Sequence, residues 1–136
     1  PNLSETAIEE ALEVVNALEL DGVIATNTTT DRPRSLHSEH AREDGGLSGK
    51  PIEDDATEIV RFIAERTDKP IVGVGGVDDA AGAYEKIRNG ADVVQLYTGL
   101  IYQGPTVARD INRGLLELLK RDGFGSVTEA VGVDLE

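Results

Sequence analysis

Small residues follow two short apolar runs of the sequence, and their main chain could bind a ligand. Gly75 and Gly76 end the first run, and Thr98 and Gly99 end the second. One helix-length segment separates the runs, which is the pattern of two parallel strands joined by a crossover helix. The two ends would then be neighbours, so their main-chain N–H groups could hold a phosphate. Ordinary glycine turns are the alternative interpretation.

Two further groups of residues have types suited to binding a planar molecule. Thr26, Asn27 and Thr28 end an apolar strand predicted over 23–26, and Asn27 offers a donor and an acceptor to a carboxylate or an amide-like ring edge. A loop with Asx-type turns would need the same residue types. The segment 46–49 either brings backbone close to a flat ligand or forms a plain flexible lid.

The composition excludes several classes of function. Thirteen basic residues against 26 acidic residues give a net charge of −13, which argues against nucleic-acid binding. The absence of cysteine removes thiol nucleophiles and disulfides, and His37 and His40 lack matching ligands, so we predict no metal site. No apolar stretch approaches the roughly 20 residues of a membrane span. An acidic, lysine-poor chain indicates a salt-loving host, where salt screens its self-repulsion.

The apolar pattern alternates between helices and strands. Ser4 is the expected cap of the first helix, Asp55 and Glu58 form a capping box, Asp78 caps the third helix and Pro105 opens the last. The tail from residue 123 is weakly patterned. The long loop predicted over residues 31–50 is either a functional lid or disordered. The predicted elements are helix 4–19, strand 23–26, loop 31–50, helix 55–64, strand 70–74, helix 78–89, strand 92–96 and a helix from 105.

These elements predict an α/β fold with a parallel sheet. The strands are continuously apolar, which is typical of strands buried on both faces. Because three strands cannot close a barrel, we interpret them as the last three βα units of a (β/α)₈ (TIM) barrel, in which the loops after the final strands usually bind phosphate. The chain has no methionine, so we expect residues 1–136 to be the C-terminal part of one longer barrel domain. Its first strand edge and the inner sheet face would then be exposed.

Four blocks of the sequence closely resemble dihydroorotate dehydrogenase. They span residues 24–29, 45–51, 71–77 and 94–105, and they occur in the family's order. The short connection from Asn27-Thr28-Thr29 to Asp31-Arg32 is similar to the class 2, quinone-linked enzymes. The resemblance implies an FMN-dependent barrel that oxidises dihydroorotate to orotate in pyrimidine biosynthesis and passes the electrons to a quinone.

The resemblance also implies roles for individual residues. Asn27 and Thr28 would hydrogen-bond the carboxylate and ring of the substrate, and Thr26 would contact the flavin. Gly49 and Gly76 would line FMN, whereas Tyr97 and Thr98 would donate main-chain N–H groups to its phosphate. The cofactor-binding residues are thus Thr26, Gly49, Gly76, Tyr97 and Thr98.

The family's catalytic base and flavin-side lysine match no position of this sequence. In class 2 enzymes the base is a serine on an earlier strand, so we expect no catalytic residue here and no turnover by the isolated chain. The family's membrane-associating N-terminal helices are also missing, and the parent enzyme would lie peripherally on the cytoplasmic side of the membrane. The alternatives are another FMN barrel, of class 1 or dihydropyrimidine type, and a non-catalytic phosphate-binding half-barrel.

Overall fold

Three parallel strands form the sheet in the part of the chain that the computed structural model describes, residues 1–33 and 36–135. Their order is β1 (Val23–Ala25), β2 (Ile71–Val74) and β3 (Val93–Gln95). The register pairs Ile24 with Val72 and Val72 with Val93. Consecutive parallel strands in sequence order confirm the predicted α/β class, because each connection must cross back over the sheet through a helix.

Helices cover the outer face of this sheet. Ser4 caps the first helix as predicted, because its side chain accepts a hydrogen bond from the Ala7 N–H at 3.3 Å. A short 3₁₀ turn at Lys50–Ile52 precedes the second helix. The helices of the described chain are α1 (Glu5–Ala17), α2 (Glu53–Ala64), α3 (Ala80–Arg88), α4 (Thr98–Gln103), α5 (Val107–Asp122) and α6 (Val127–Ala130).

Two predicted caps are wrong. Helix α2 begins directly after the 3₁₀ turn, so Asp55 lies inside its first turn and forms no capping box. Helix α3 is capped by Asp79, which accepts from the Gly82 N–H at 2.8 Å, whereas Asp78 pairs with Lys50. At α3 two neighbouring acidic residues could form the cap, and the ion pair of Asp78 with Lys50 leaves Asp79 to cap the helix.

The C-terminal elements also differ from the prediction. Pro105 lies outside α5, because α4 occupies the residues just before it and ends at Gly104. The tail from residue 123 contains α6, which packs against α3 through the buried Ala130. The loop predicted over 31–50 has no regular element before Lys50 in its described part, and Arg34 and Ser35 lie outside the described residues.

The core is asymmetric across the sheet. On the outer face, Val60 and Ile71 are fully buried between α2 and the strands, and a second cluster lies between α3 and α5. On the inner face, Ile24 is 70% exposed and Val93 is 55% exposed. This confirms the prediction that the inner face would be exposed, whereas burial on both faces does not hold within this chain. No helix of the described residues is long and apolar enough to cross a membrane.

Candidate functional site

A cavity of about 320 Å³ lies at the carboxyl ends of the three strands. The residues that follow β1, β2 and β3 line it together with the loop that precedes the 3₁₀ turn. All the residues predicted to bind substrate or cofactor line this one cavity: Thr26, Asn27, Thr28, Gly49, Gly76, Tyr97 and Thr98. The carboxyl ends of parallel strands are where ligands bind in barrels and open α/β sheets.

Hydrogen bonds to β2 fix the residues after β1. The Thr26 N–H donates to the Val74 carbonyl at 2.8 Å, and the Thr26 hydroxyl lies 3.3 Å from the same oxygen. Asn27 then turns its amide oxygen back to accept from the Thr28 N–H at 2.8 Å. The amide plane of Asn27 is therefore oriented by its own main chain at the edge of the cavity.

Gly49 brings its loop into contact with the residues after β3. Its φ is +78°, and a Cβ at this position would lie 2.8 Å from Thr98 Cγ2. The neighbouring Ser48 hydroxyl lies 2.9 Å from the Thr98 hydroxyl. Because Ser48 and Thr98 are 50 positions apart, sequence reasoning missed this pair. It connects the loop at residues 48–49 to Tyr97 and Thr98, the residues predicted to bind phosphate.

Close packing behind the cavity explains the glycine at position 76. Its φ is +78°, and an added Cβ would lie only 2.8 Å from the backbone nitrogen of Glu53. Any side chain here would push α2 away from β2. Glycine is therefore required at position 76 by the packing of β2 against α2, and its main chain lines the cavity.

Lys50 and the acidic residues beside the cavity form an ion-pair cluster. The Lys50 ammonium lies 2.7 Å from Glu53 Oε2 and 3.1 Å from Asp78 Oδ1. The hydrogen bond that Lys50 donates to Glu53 is the main cause of a raised pKa for Lys50, which therefore stays charged. The Lys50 side chain is 53% exposed, and it joins the 3₁₀ turn to the residues that precede α3.

A second lysine lies behind the sheet and had no signal in the sequence. Lys86 of α3 is fully buried, and its ammonium donates to the Thr57 hydroxyl at 2.7 Å. Its carbon chain crosses β2 at Gly73, where an added Cβ would lie 2.7 Å from Lys86 Cδ. Burial lowers the pKa of Lys86 to about 8. A lysine at a helical position normally indicates a solvated face, so only the packing reveals this role.

Charge is distributed unevenly around the cavity. Although the chain carries 26 acidic residues, the described residues that line the cavity include no carboxylate, histidine, lysine or arginine. The polar atoms there belong to the main chain, to hydroxyls and to the amides of Asn27 and Gln95. Such a lining offers neutral donors to an anion and no like charge to repel it.

The parallel sheet and the glycine-rich cavity at its carboxyl end define the class: this is part of a (β/α)₈-barrel protein with a ligand site on the usual barrel face. The family model described as dihydroorotate dehydrogenase matches residues 1–119. The chain belongs to the dihydroorotate dehydrogenase family.

Individual relatives agree with this family. Proteins named dihydroorotate dehydrogenase (quinone) from Natronomonas pharaonis and Haloarcula marismortui are 74% and 66% identical over 99% of this chain, and the match covers 39% of each. A solved structure of DHODH in complex with ferulenol from Eimeria tenella is 40% identical, with a TM-score of 0.95 over 98% of this chain and 36% of that chain. The chain thus spans about two fifths of the length of these curated relatives.

Proposed function

We propose that this chain forms one side of the active site of an FMN-dependent dihydroorotate dehydrogenase that uses a quinone as electron acceptor. The supporting observation is the single cavity that collects all the predicted substrate and cofactor residues. The names of the relatives support the substrate and the quinone. Residues 1–136 would act as part of one barrel domain.

The charge and the composition of the cavity lining support flavin mononucleotide as the ligand. Its uncharged lining has no carboxylate that would oppose a phosphate, and glycines at 49, 75 and 76 contribute main chain to the lining. We propose that Tyr97 and Thr98 donate main-chain N–H groups to the phosphate and that Thr26 contacts the ring system. When bound, FMN would supply the acceptor for the hydride that leaves dihydroorotate.

Asn27 and Thr28 are proposed to orient the substrate. The Asn27 oxygen is already occupied by the Thr28 N–H, which presents the amide donor side to a carboxylate or carbonyl oxygen. No histidine, lysine or carboxylate lines the described cavity, and its one lining serine, Ser48, is hydrogen-bonded to Thr98 and follows none of the strands. We therefore propose that the base lies outside this sequence and that the isolated chain is inactive.

An apolar surface beside the cavity supports quinone as the acceptor. Tyr97, which lines the cavity, is 76% exposed, and Leu100 and Ile101 of α4 are 41% and 66% exposed. A quinone ring with an apolar tail would cover this area while staying close to the flavin. Peripheral association of the parent enzyme with the cytoplasmic side of a membrane, the source of such quinones, belongs to the same proposal.

The experiment that tests the function is a flavin fluorescence titration in high salt. The chain is titrated with FMN alone and after co-expression with the N-terminal part of the Natronomonas pharaonis relative, and riboflavin serves as the phosphate-free control. We expect quenching by FMN only with both parts, and at least about tenfold weaker binding of riboflavin, because hydrogen bonds to a charged group contribute roughly 1.5–3 kcal/mol each.

Substrate and acceptor are tested on the assembled protein. Dihydroorotate should bleach the bound flavin, and a quinone should restore its colour faster than fumarate or NAD. Reduction only by a dihydropyrimidine would support another flavin barrel instead. Saturable FMN binding by this chain alone, with a stable dimer, would favour the half-barrel alternative and contradict the proposal.

A further inference from the structure

The loop between the substrate residues and the flavin residues is closed at its base by a backbone pair. The Thr29 N–H donates to the Leu47 carbonyl at 3.1 Å, and the Leu47 N–H donates to the Thr29 carbonyl at 2.7 Å. Thr29 is buried, although it lies in a polar segment. The loop therefore leaves the cavity after Thr28 and returns to it at Ser48.

One arginine fills the interior of this loop. Arg32 is half-buried, and its guanidinium uses all three nitrogens to donate to main-chain carbonyls on both sides of the loop. Such a fork has five N–H donors in a fixed plane, whereas a lysine has three donors at one point. The acceptors are Thr29 at 3.4 Å, Thr30 at 3.0 Å, Asp31 at 3.2 Å, Ala41 at 3.1 Å, Glu43 at 3.0 Å and Gly45 at 2.8 Å.

These hydrogen bonds hold the backbone on two sides of Thr28, next to it in the chain and next to it in space. Thr29 follows Thr28 in the chain, and Gly45 precedes Gly46, which packs directly on the Thr28 side chain. A Cβ at Gly46 would lie 2.0 Å from Thr28 Oγ1, so there is no free space between them. The position of the Gly46 backbone therefore determines where the Thr28 hydroxyl can lie.

We infer that Arg32 is a positioning residue for Thr28. By holding the Thr29 and Gly45 carbonyls at a fixed separation, it sets the Thr28 hydroxyl at the cavity edge and keeps Gly46 packed against it. It acts through the backbone, because Arg32 itself does not line the cavity. The inference rests on the proposed function for its effect on substrate, but its structural part can be tested without any ligand.

The structural part is tested by hydrogen exchange in the flavoenzyme that contains this chain. Arg32→Ala and Arg32→Lys are compared with Arg42→Ala, which removes an exposed arginine of the same loop. We expect the Thr29 and Leu47 amides to exchange at least about tenfold faster in both Arg32 variants, because several charge-assisted hydrogen bonds that hold the loop are lost. Unchanged exchange at these two amides would overturn the inference, whatever the enzyme binds.

The functional part is tested by ligand affinity. We expect orotate to bind roughly tenfold more weakly to the Arg32 variants, with FMN content and the Arg42→Ala control unchanged. Added guanidinium ion, but not methylammonium, should restore orotate binding to Arg32→Ala. Loss of FMN with unchanged orotate affinity would show a merely structural role. If the parent enzyme binds no orotate, the proposed function fails, and the exchange experiment alone decides the role of Arg32.

Discussion

Replacing Gly49 by alanine should weaken flavin binding through one defined contact with Thr98. The Gly49 backbone has φ +78° and ψ −161°, a region that only glycine adopts readily. Gly104 has nearly the same backbone, with φ +81° and ψ −175°, and an added Cβ there would meet nothing within 4 Å. Gly104→Ala is therefore a matched control for backbone strain.

The expected size of the effect follows from the two costs. Either alanine should lower the free energy of unfolding by about 1–3 kcal/mol, since both force a residue into the same sparsely populated conformation. At position 49 the new Cβ lies 2.8 Å from Thr98 Cγ2, so Thr98 or the loop must move and the Ser48–Thr98 hydrogen bond is strained. Losing one hydrogen bond to the phosphate would cost roughly 1.5–3 kcal/mol, or about tenfold to a hundredfold in the FMN dissociation constant.

Two measurements separate these costs. Urea unfolding of the apo-protein gives the strain, and an FMN fluorescence titration of the assembled enzyme gives the affinity. We expect similar unfolding midpoints for the two variants and weakened FMN binding only in Gly49→Ala. An equal loss of FMN affinity in Gly104→Ala would refute the proposed contact with Thr98, because backbone strain alone would then explain the loss.

Two further predictions concern stability. The pKa of Lys86 in the folded protein is lowered to about 8, so between pH 8 and 10.5 only the unfolded state keeps the proton. The free energy of unfolding of the wild type should therefore rise with pH in this window, by up to about 3 kcal/mol. Lys86→Met should abolish this rise. Urea midpoints at both pH values, compared with the wild type, test it, and an equal rise in both proteins would contradict it. Tyr84→Phe should cost about 1 kcal/mol by removing the 2.9 Å hydrogen bond to Asp122. Tyr102→Phe, at an 85% exposed residue, is the control and should leave the thermal midpoint unchanged.

The order of the elements was predictable because each apolar run is local. Strand β2 and helix α1 agree with the sequence prediction to within one or two residues, since their apolar spacing and their flanking residues indicate the same boundaries. The error at the start of α3 falls where two adjacent residues could serve equally well as the cap. Choosing between Asp78 and Asp79 as the cap of α3 requires knowing where Lys50 lies, and Lys50 is about 28 positions earlier in the chain.

The sequence allowed us to predict which residues line the candidate site, but not which residues hold them in place. Residues at strand ends could be placed in one cavity from parallel topology and the family resemblance. The partners that hold them, such as Ser48 and Arg32, make contacts that depend on how a long loop folds. Neither a hydroxyl pair 50 positions apart nor an arginine bound only to carbonyls leaves a periodic or compositional pattern, so local rules have nothing to detect.

The acidic residues that the structure describes lie outside the cavity, and this arrangement bears on how the proposed site would bind a phosphate in high salt. A net charge of −13 is tolerable where salt screens surface repulsion, and several of the relatives come from halophilic hosts, although a salt-loving host for this chain stays a prediction. The same salt would weaken a phosphate site built from exposed lysines, because ionic screening acts on net charges. The described cavity instead offers main-chain and hydroxyl donors, while Lys50 is neutralised by Glu53 and Asp78. A site of neutral donors would therefore keep its affinity in the salt concentrations that the acidic surface requires.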